Sequence, residues 1–139
     1  MADATDPIKR RSMMFGYGLY FFAAWTFAIK YALPVGWALS RGEGWTTYIF
    51  FWDAWWIFHL IAGTGLVVNR NGIRIWALLL SLAEIIIIIT KFVLFLPEPN
   101  WDFWHANWFV NKAVMLVFFC VLLAWLVRKD VRDFYGKIT

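Results

Sequence analysis

Four stretches of about 20 predominantly apolar residues, at positions 13–33, 47–68, 75–96 and 106–127, set the terms on which this chain can fold. At about 1.5 Å of rise per residue, each is long enough to cross the roughly 30 Å hydrocarbon layer of a bilayer as an α-helix. Backbone N–H and C=O groups find no water there, so each crossing must satisfy its own hydrogen bonds, which a helix does. The isoleucine run at 85–89 favours a strand in water, but the lipid environment overrides that preference. With 63% hydrophobic residues, against about 45–50% in soluble domains, the chain of 139 residues reads as one integral membrane domain. The predicted fold class is all-α, a four-helix transmembrane bundle.

The segments between the spans carry turn-forming residues. Pro34, Gly36, Gly42 and Gly44 break the first from the second, Asn69, Asn71 and Gly72 the second from the third, and Pro97, Pro99 and Asn100 the third from the fourth. The cations fix a direction. Lys9, Arg10 and Arg11 precede the first span, Arg70 and Arg74 lie in the second loop, and Arg128, Lys129, Arg132 and Lys137 follow the last. All three places fall on one side, whereas the other holds Arg41 with Glu43, Glu98 and Asp102, so the positive-inside rule predicts cytoplasmic N- and C-termini.

The predicted location is accordingly a cytoplasmic (inner) membrane, crossed several times, with the short loops of a prokaryotic protein. The net charge of +4 sits beside apolar spans and has no soluble basic face, which excludes nucleic acid and makes the lipid bilayer, with its anionic headgroups, the expected partner. An apolar region as long as the first span, without a small-residue cleavage site, does not read as a signal peptide. One cysteine, Cys120, leaves no intramolecular disulfide and reads as a small packing residue.

Ionisable residues inside the spans are the informative ones: Lys30, Asp53, His59, Glu84, Lys91 and Lys112. Each costs roughly 2.5–3.5 kcal/mol on insertion scales and so asks for a partner or an aqueous cavity. By helix rise, Lys30, Asp53, Lys91 and Lys112 share one level below the outer boundary, and His59 and Glu84 share a deeper one. In the third helix Ala77, Ser81, Glu84, Ile88 and Lys91 follow steps of four and three along one face, and in the first Gly16, Leu19, Ala23, Thr26 and Lys30 do the same. Both stripes contain small residues, which predicts burial of these charges against neighbouring helices. His105, Trp108 and Lys112 share a face of the fourth helix. The layer reads either as interhelical glue or as a small polar cavity suited to an anion, a lipid headgroup or a quinone carbonyl.

No cofactor is predicted. Haem ligated by two histidines needs imidazoles at matching depth, whereas His59 and His105 stand roughly 20 Å apart along the membrane normal by helix rise. Asp53, His59 and Glu84 offer zinc- or copper-type ligands without a diagnostic spacing. Phosphate loops and nucleophile elbows are absent from the sequence, so catalysis by the chain alone is not expected.

The 11 tryptophans are unevenly placed, with Trp37, Trp45, Trp101, Trp104 and Trp108 at the outer boundary and Trp76 and Trp125 at the inner one. The segment 101–109 is expected to lie partly along the membrane surface, with Trp101, Trp104, His105 and Trp108 anchoring it or forming an outer-face interface for another protein. Two functions follow as expectations. The first is a non-catalytic accessory or assembly subunit of a larger membrane complex, a redox assembly among the candidates, with other integral membrane subunits as partners. The alternative is a small homo-oligomeric transporter or channel for an anion or a proton.

Overall fold

The computed structural model describes residues 6–44, 55–97 and 101–136, with the backbone alone for Phe103 and Trp104. All regular structure among these residues is helical: α1 (Pro7–Phe27), a π turn (Ala28–Ala32), α2 (Leu33–Ser40), α3 (Trp55–Val67), α4 (Ile73–Phe95), α5 (Phe103–Leu126) and α6 (Lys129–Gly136). Three helical stretches, Pro7–Ser40, Ile73–Phe95 and His105–Leu126, are long and apolar enough to cross a membrane. Their surfaces agree with that solvent, since Phe21, Leu33, Ile86, Val93 and Val117 all point outward. The chain divides into two compact units, 1–69 and 70–139.

In the first unit α1 starts at Asp6, whose carboxylate accepts the Ile8 N–H, with Pro7 in the first helical turn where its missing N–H costs nothing. Pro34 was expected to end this helix, yet the helix runs on to Ser40. The π turn explains the difference. Proline cannot donate to the carbonyl four residues back and its ring collides with it, so the chain widens ahead of Pro34, and Leu33 N–H reaches Ala28 O, five residues back. The break falls instead at Gly42, where a φ of 72° lets Gly42 N–H bond Leu39 O and Glu43 N–H bond Ala38 O, the paired bonds of a Schellman end.

Helix α3 packs against α1. Its 13 residues are shorter than the expected span; positions 47–54 of that span lie outside the described residues. The stripe foreseen on α1 is buried at Gly16, Leu19, Ala23 and Thr26, and Ser12 extends it one turn toward the N-terminus. At the crossing, a Cβ on Gly16 would stand 2.7 Å from Gly63 O, and one on Gly63 would stand 2.9 Å from Gly16 O. The two backbones therefore touch, which only glycine permits at both places. Two hydroxyl bonds fasten the pair, Ser12 Oγ to Leu66 O and Tyr20 OH to Thr64 Oγ1, at 2.7 and 2.8 Å.

The second unit is an antiparallel pair, α4 against α5. Helix α4 buries Ile73, Ala77, Leu80, Ser81, Glu84 and Ile88, and α5 buries Met115, Phe119, Leu122 and Leu126, each at steps of three and four. The Ser81 hydroxyl is satisfied by Ala77 O, four residues back, at 2.7 Å. Arg74 Nε donates to Leu126 O at 2.8 Å, so a cation expected merely in a loop caps the exposed carbonyl end of α5.

Two further expectations are corrected and one segment is added. The fourth helix starts earlier than position 106: Asp102 accepts the His105 N–H at 2.8 Å and starts α5 at Phe103, so most of segment 101–109 is helical. The cationic segment after the last span, to which the sequence assigns no conformation, forms α6, with Val131 and Tyr135 buried one helical turn apart. Cys120 is exposed instead of packed, as a residue facing lipid would be.

Candidate functional site

Each unit carries its own share of the ionisable residues within the spans; Asp53 lies outside the described residues. In the first unit His59 is 1% exposed, on the same face of α3 as Ala62, Gly63 and Leu66. Lys30 falls inside the π turn and is half-buried, not buried as its stripe predicts. A π turn holds more residues than an α turn, so it shifts everything after Ala28 around the axis relative to Thr26. Beside it, Trp56 meets Phe27 edge-on at 5.2 Å and Tyr31 at 6.2 Å. These rings give the widened turn an aromatic flank.

In the second unit Glu84 is 3% exposed, while Lys91 and Lys112 are half-buried, which corrects the expectation for Lys91. A long methylene stem lets a half-buried lysine such as Lys91 carry its ammonium group away from the apolar interior, whereas the short glutamate stem cannot. The register of the helix pair locates the acid. Ten residues along α4 from Arg74 and ten back along α5 from Leu126 set Glu84 opposite Leu116. Stepping from the Phe92–Phe109 ring contact, at 4.8 Å, sets it opposite Val117. Lys112 belongs to the turn before, and its Nζ stands 3.6 Å from Met115 Sδ, so the stem runs along α5 toward the level of the acid. Glu84 is thus buried at a level that the Lys112 stem of the facing helix approaches.

At the end of this unit where α4 gives way to α5, aromatic rings lock together. Phe95 stacks on His105 at 5.8 Å and meets Trp101 and Trp108, each at 5.3 Å, while Phe109 joins Trp101 at 5.3 Å. Trp101 is 55% exposed, and Trp108 is half-buried. Asp102 Oδ1 lies 2.8 Å from His105 Nδ1, so the polar pair sits at the rim of an aromatic platform. Three expected interface residues, Trp101, His105 and Trp108, therefore meet in one cluster. The side chain of the fourth, Trp104, is outside the described residues.

No family model, curated protein or solved structure matches the chain. The site is therefore read from its own chemistry. Sequence reasoning missed Phe92 and Phe95 as members of the platform, and Met115 as the contact of Lys112. The first two could have been found from the α4–α5 turn, since rings late in one helix and early in an antiparallel neighbour must meet. Met115 was already on the stripe that continues from Lys112 by a step of three. Among the described residues, no three His, Cys, Asp or Glu side chains gather at one place where a metal could sit.

Proposed function

We propose that the chain is a four-helix transmembrane bundle of a prokaryotic cytoplasmic membrane, with both termini in the cytoplasm. In this reading it serves as a non-catalytic accessory or assembly subunit of a larger membrane complex. The observation that carries the proposal is the platform of Phe92, Phe95, Trp101, His105, Trp108 and Phe109. Rings already held by one another lose little freedom on docking, and exposed tryptophan is the residue type most enriched at the energetic centres of interfaces. A redox assembly is a candidate host. The tagged protein, solubilised in mild detergent, should bring other integral membrane subunits with it, and Trp101→Ala combined with Trp108→Ala should release them. A homogeneous particle without partners would count against the reading.

The distribution of cations supports the topology, with Lys9, Arg10 and Arg11 at one end of the first rod and Arg41 beyond the other. In a Cys120→Ser background, a membrane-impermeant thiol reagent applied from outside should label Arg41→Cys and spare Arg11→Cys and Arg132→Cys.

A second reading rests on Glu84, a buried acid within an apolar span with Lys112 directed to its level. Intramembrane acids of this kind mark proton and ion pathways, so a homo-oligomeric transporter or channel for an anion or proton is the alternative. Reconstituted protein should then show flux that Glu84→Gln or Lys91→Ala abolishes. Equal flux in all three proteins would reject this pathway.

A further inference from the structure

We propose that the groove at the start of α1 binds the headgroup of an anionic phospholipid, with the head of its acyl chain laid along the same helix face. The groove encloses about 600 Å3 and is lined by Lys9, Arg10, Met13, Met14 and Tyr17 of α1 and by Val67 at the end of α3. That volume falls in the range of pockets that hold small ligands, about 300–1,000 Å3. The inference rests on the membrane reading alone and stands whichever function is correct.

The order of residues along the helix matches the order of groups in such a lipid. Lys9, Met13 and Tyr17 follow one another at steps of four, and Arg10 and Met14 repeat the step beside them, so cations come first and apolar side chains after. Among the described residues no acid lines the groove, and neither Lys9 nor Arg10 forms an ion pair. Two adjacent cations in the lining suit a phosphate ester. The apolar part has no use for a free phosphate: Met13, Met14, Tyr17 and Val67 make most of the lining, and Met14 and Tyr17 are more than half exposed.

The wall opposite α1 is held in place. Val67 lies against Gly16, so close that a Cβ on Gly16 would stand 2.6 Å from Val67 Cγ2, and the Ser12 hydroxyl grips Leu66 O at 2.7 Å on the adjoining residue. The apolar wall is therefore preorganised, which lowers the cost of filling the groove.

Native mass spectrometry of the full chain, with phosphatidylglycerol or phosphatidylcholine titrated into the micelles, tests the proposal. Phosphatidylglycerol should be retained and phosphatidylcholine should not. Replacing both Lys9→Gln and Arg10→Gln should weaken phosphatidylglycerol binding about 30-fold, at roughly fivefold per cation. Arg11→Gln removes an equal charge from the same helical turn but outside the groove, and should weaken binding no more than about threefold, the share of a screened, non-contacting cation. Glycerol 3-phosphate at the same concentrations should displace no lipid. Equal retention of both lipids, equal effects of Arg11→Gln and the double variant, or displacement by glycerol 3-phosphate would each overturn the site. None of these outcomes bears on co-purification with partner subunits.

Discussion

The two units solve the same packing task by opposite means. In the first, α1 and α3 approach until backbones touch at Gly16 and Gly63, and hydroxyl bonds from Ser12 and Tyr20 fasten the contact. In the second, no glycine lies in the contact: α5 buries the large side chains Met115, Phe119 and Leu122, and α4 buries Glu84 along with Leu80 and Ile88. Lipid tails are as apolar as leucine, so neither pair gains much from hiding hydrocarbon; close contact and polar bonds hold helices together in a membrane. The lesson is that the first unit should tolerate no addition of volume, and the second no removal.

The largest expected effect is from Phe119→Ala, which empties a fully buried position and should destabilise the second unit by about 3–5 kcal/mol. Unfolding in mixed detergent micelles, followed by tryptophan fluorescence, measures it. Next comes Gly16→Leu, whose first carbon already collides with Gly63 O. Overpacking of this sort costs about 3 kcal/mol or somewhat more. If Gly16→Leu proves neutral, or Phe119→Ala does, the contrast between the units is wrong. Arg74→Met sharpens it, because the second unit also relies on a polar tie between its helices. Losing a charged donor to Leu126 O should cost about 2 kcal/mol and fray the end of α5, read by amide hydrogen exchange at residues 123–126.

The smallest effect concerns pH. The Arg128 guanidinium bonds both carboxylate oxygens of Asp130, at 3.1 and 2.7 Å, and these bonds hold the carboxyl below its ordinary value of 3.8. A depressed carboxylate pKa contributes stability above the unfolded value and loses it as pH falls through the folded one. Helix α6 should therefore be indifferent to pH between about 7 and 5 and weaken only below about 4, and Arg128→Gln should move the midpoint upward. Chemical shifts of Asp130 and Val131 report both, and a transition near neutrality would assign α6 to other groups.

The long spans were legible in the sequence because hydropathy over about 20 residues is a property of the segment itself and needs no knowledge of neighbours. The buried stripes through Gly16 and Leu19 and through Ala77 and Glu84 were legible for the same reason, since periodicity follows from helix geometry. Pro34 misled because whether a helix breaks or absorbs a proline depends on the residues ahead of it, and the π turn leaves no mark in composition. Counting along an unbroken α-helix then puts Lys30 on the buried stripe, whereas the π turn leaves it half-buried. Arg74 could not be recognised as a cap without the antiparallel register that brings it to Leu126. Helix α6 did leave a signal, Val131 and Tyr135 four apart among charges, but it is shorter than any window tuned to membrane crossings. The aromatic residues at 101–109 stand out in the sequence by composition alone, whereas the starting point of α5 hid in the single side chain of Asp102.

The unbroken rod from Pro7 to Ser40 has a geometric consequence. Its 34 residues extend about 50 Å, while the hydrocarbon layer offers roughly 30 Å. Such a rod cannot stand upright with both ends at the lipid surface: it must lean, stretch the surrounding lipid, or lift Trp37 and Arg41 clear of the acyl tails. Bilayer thickness thereby becomes a mechanical load on this helix, and the wide turn at Ala28–Ala32 is where a bend would relieve it.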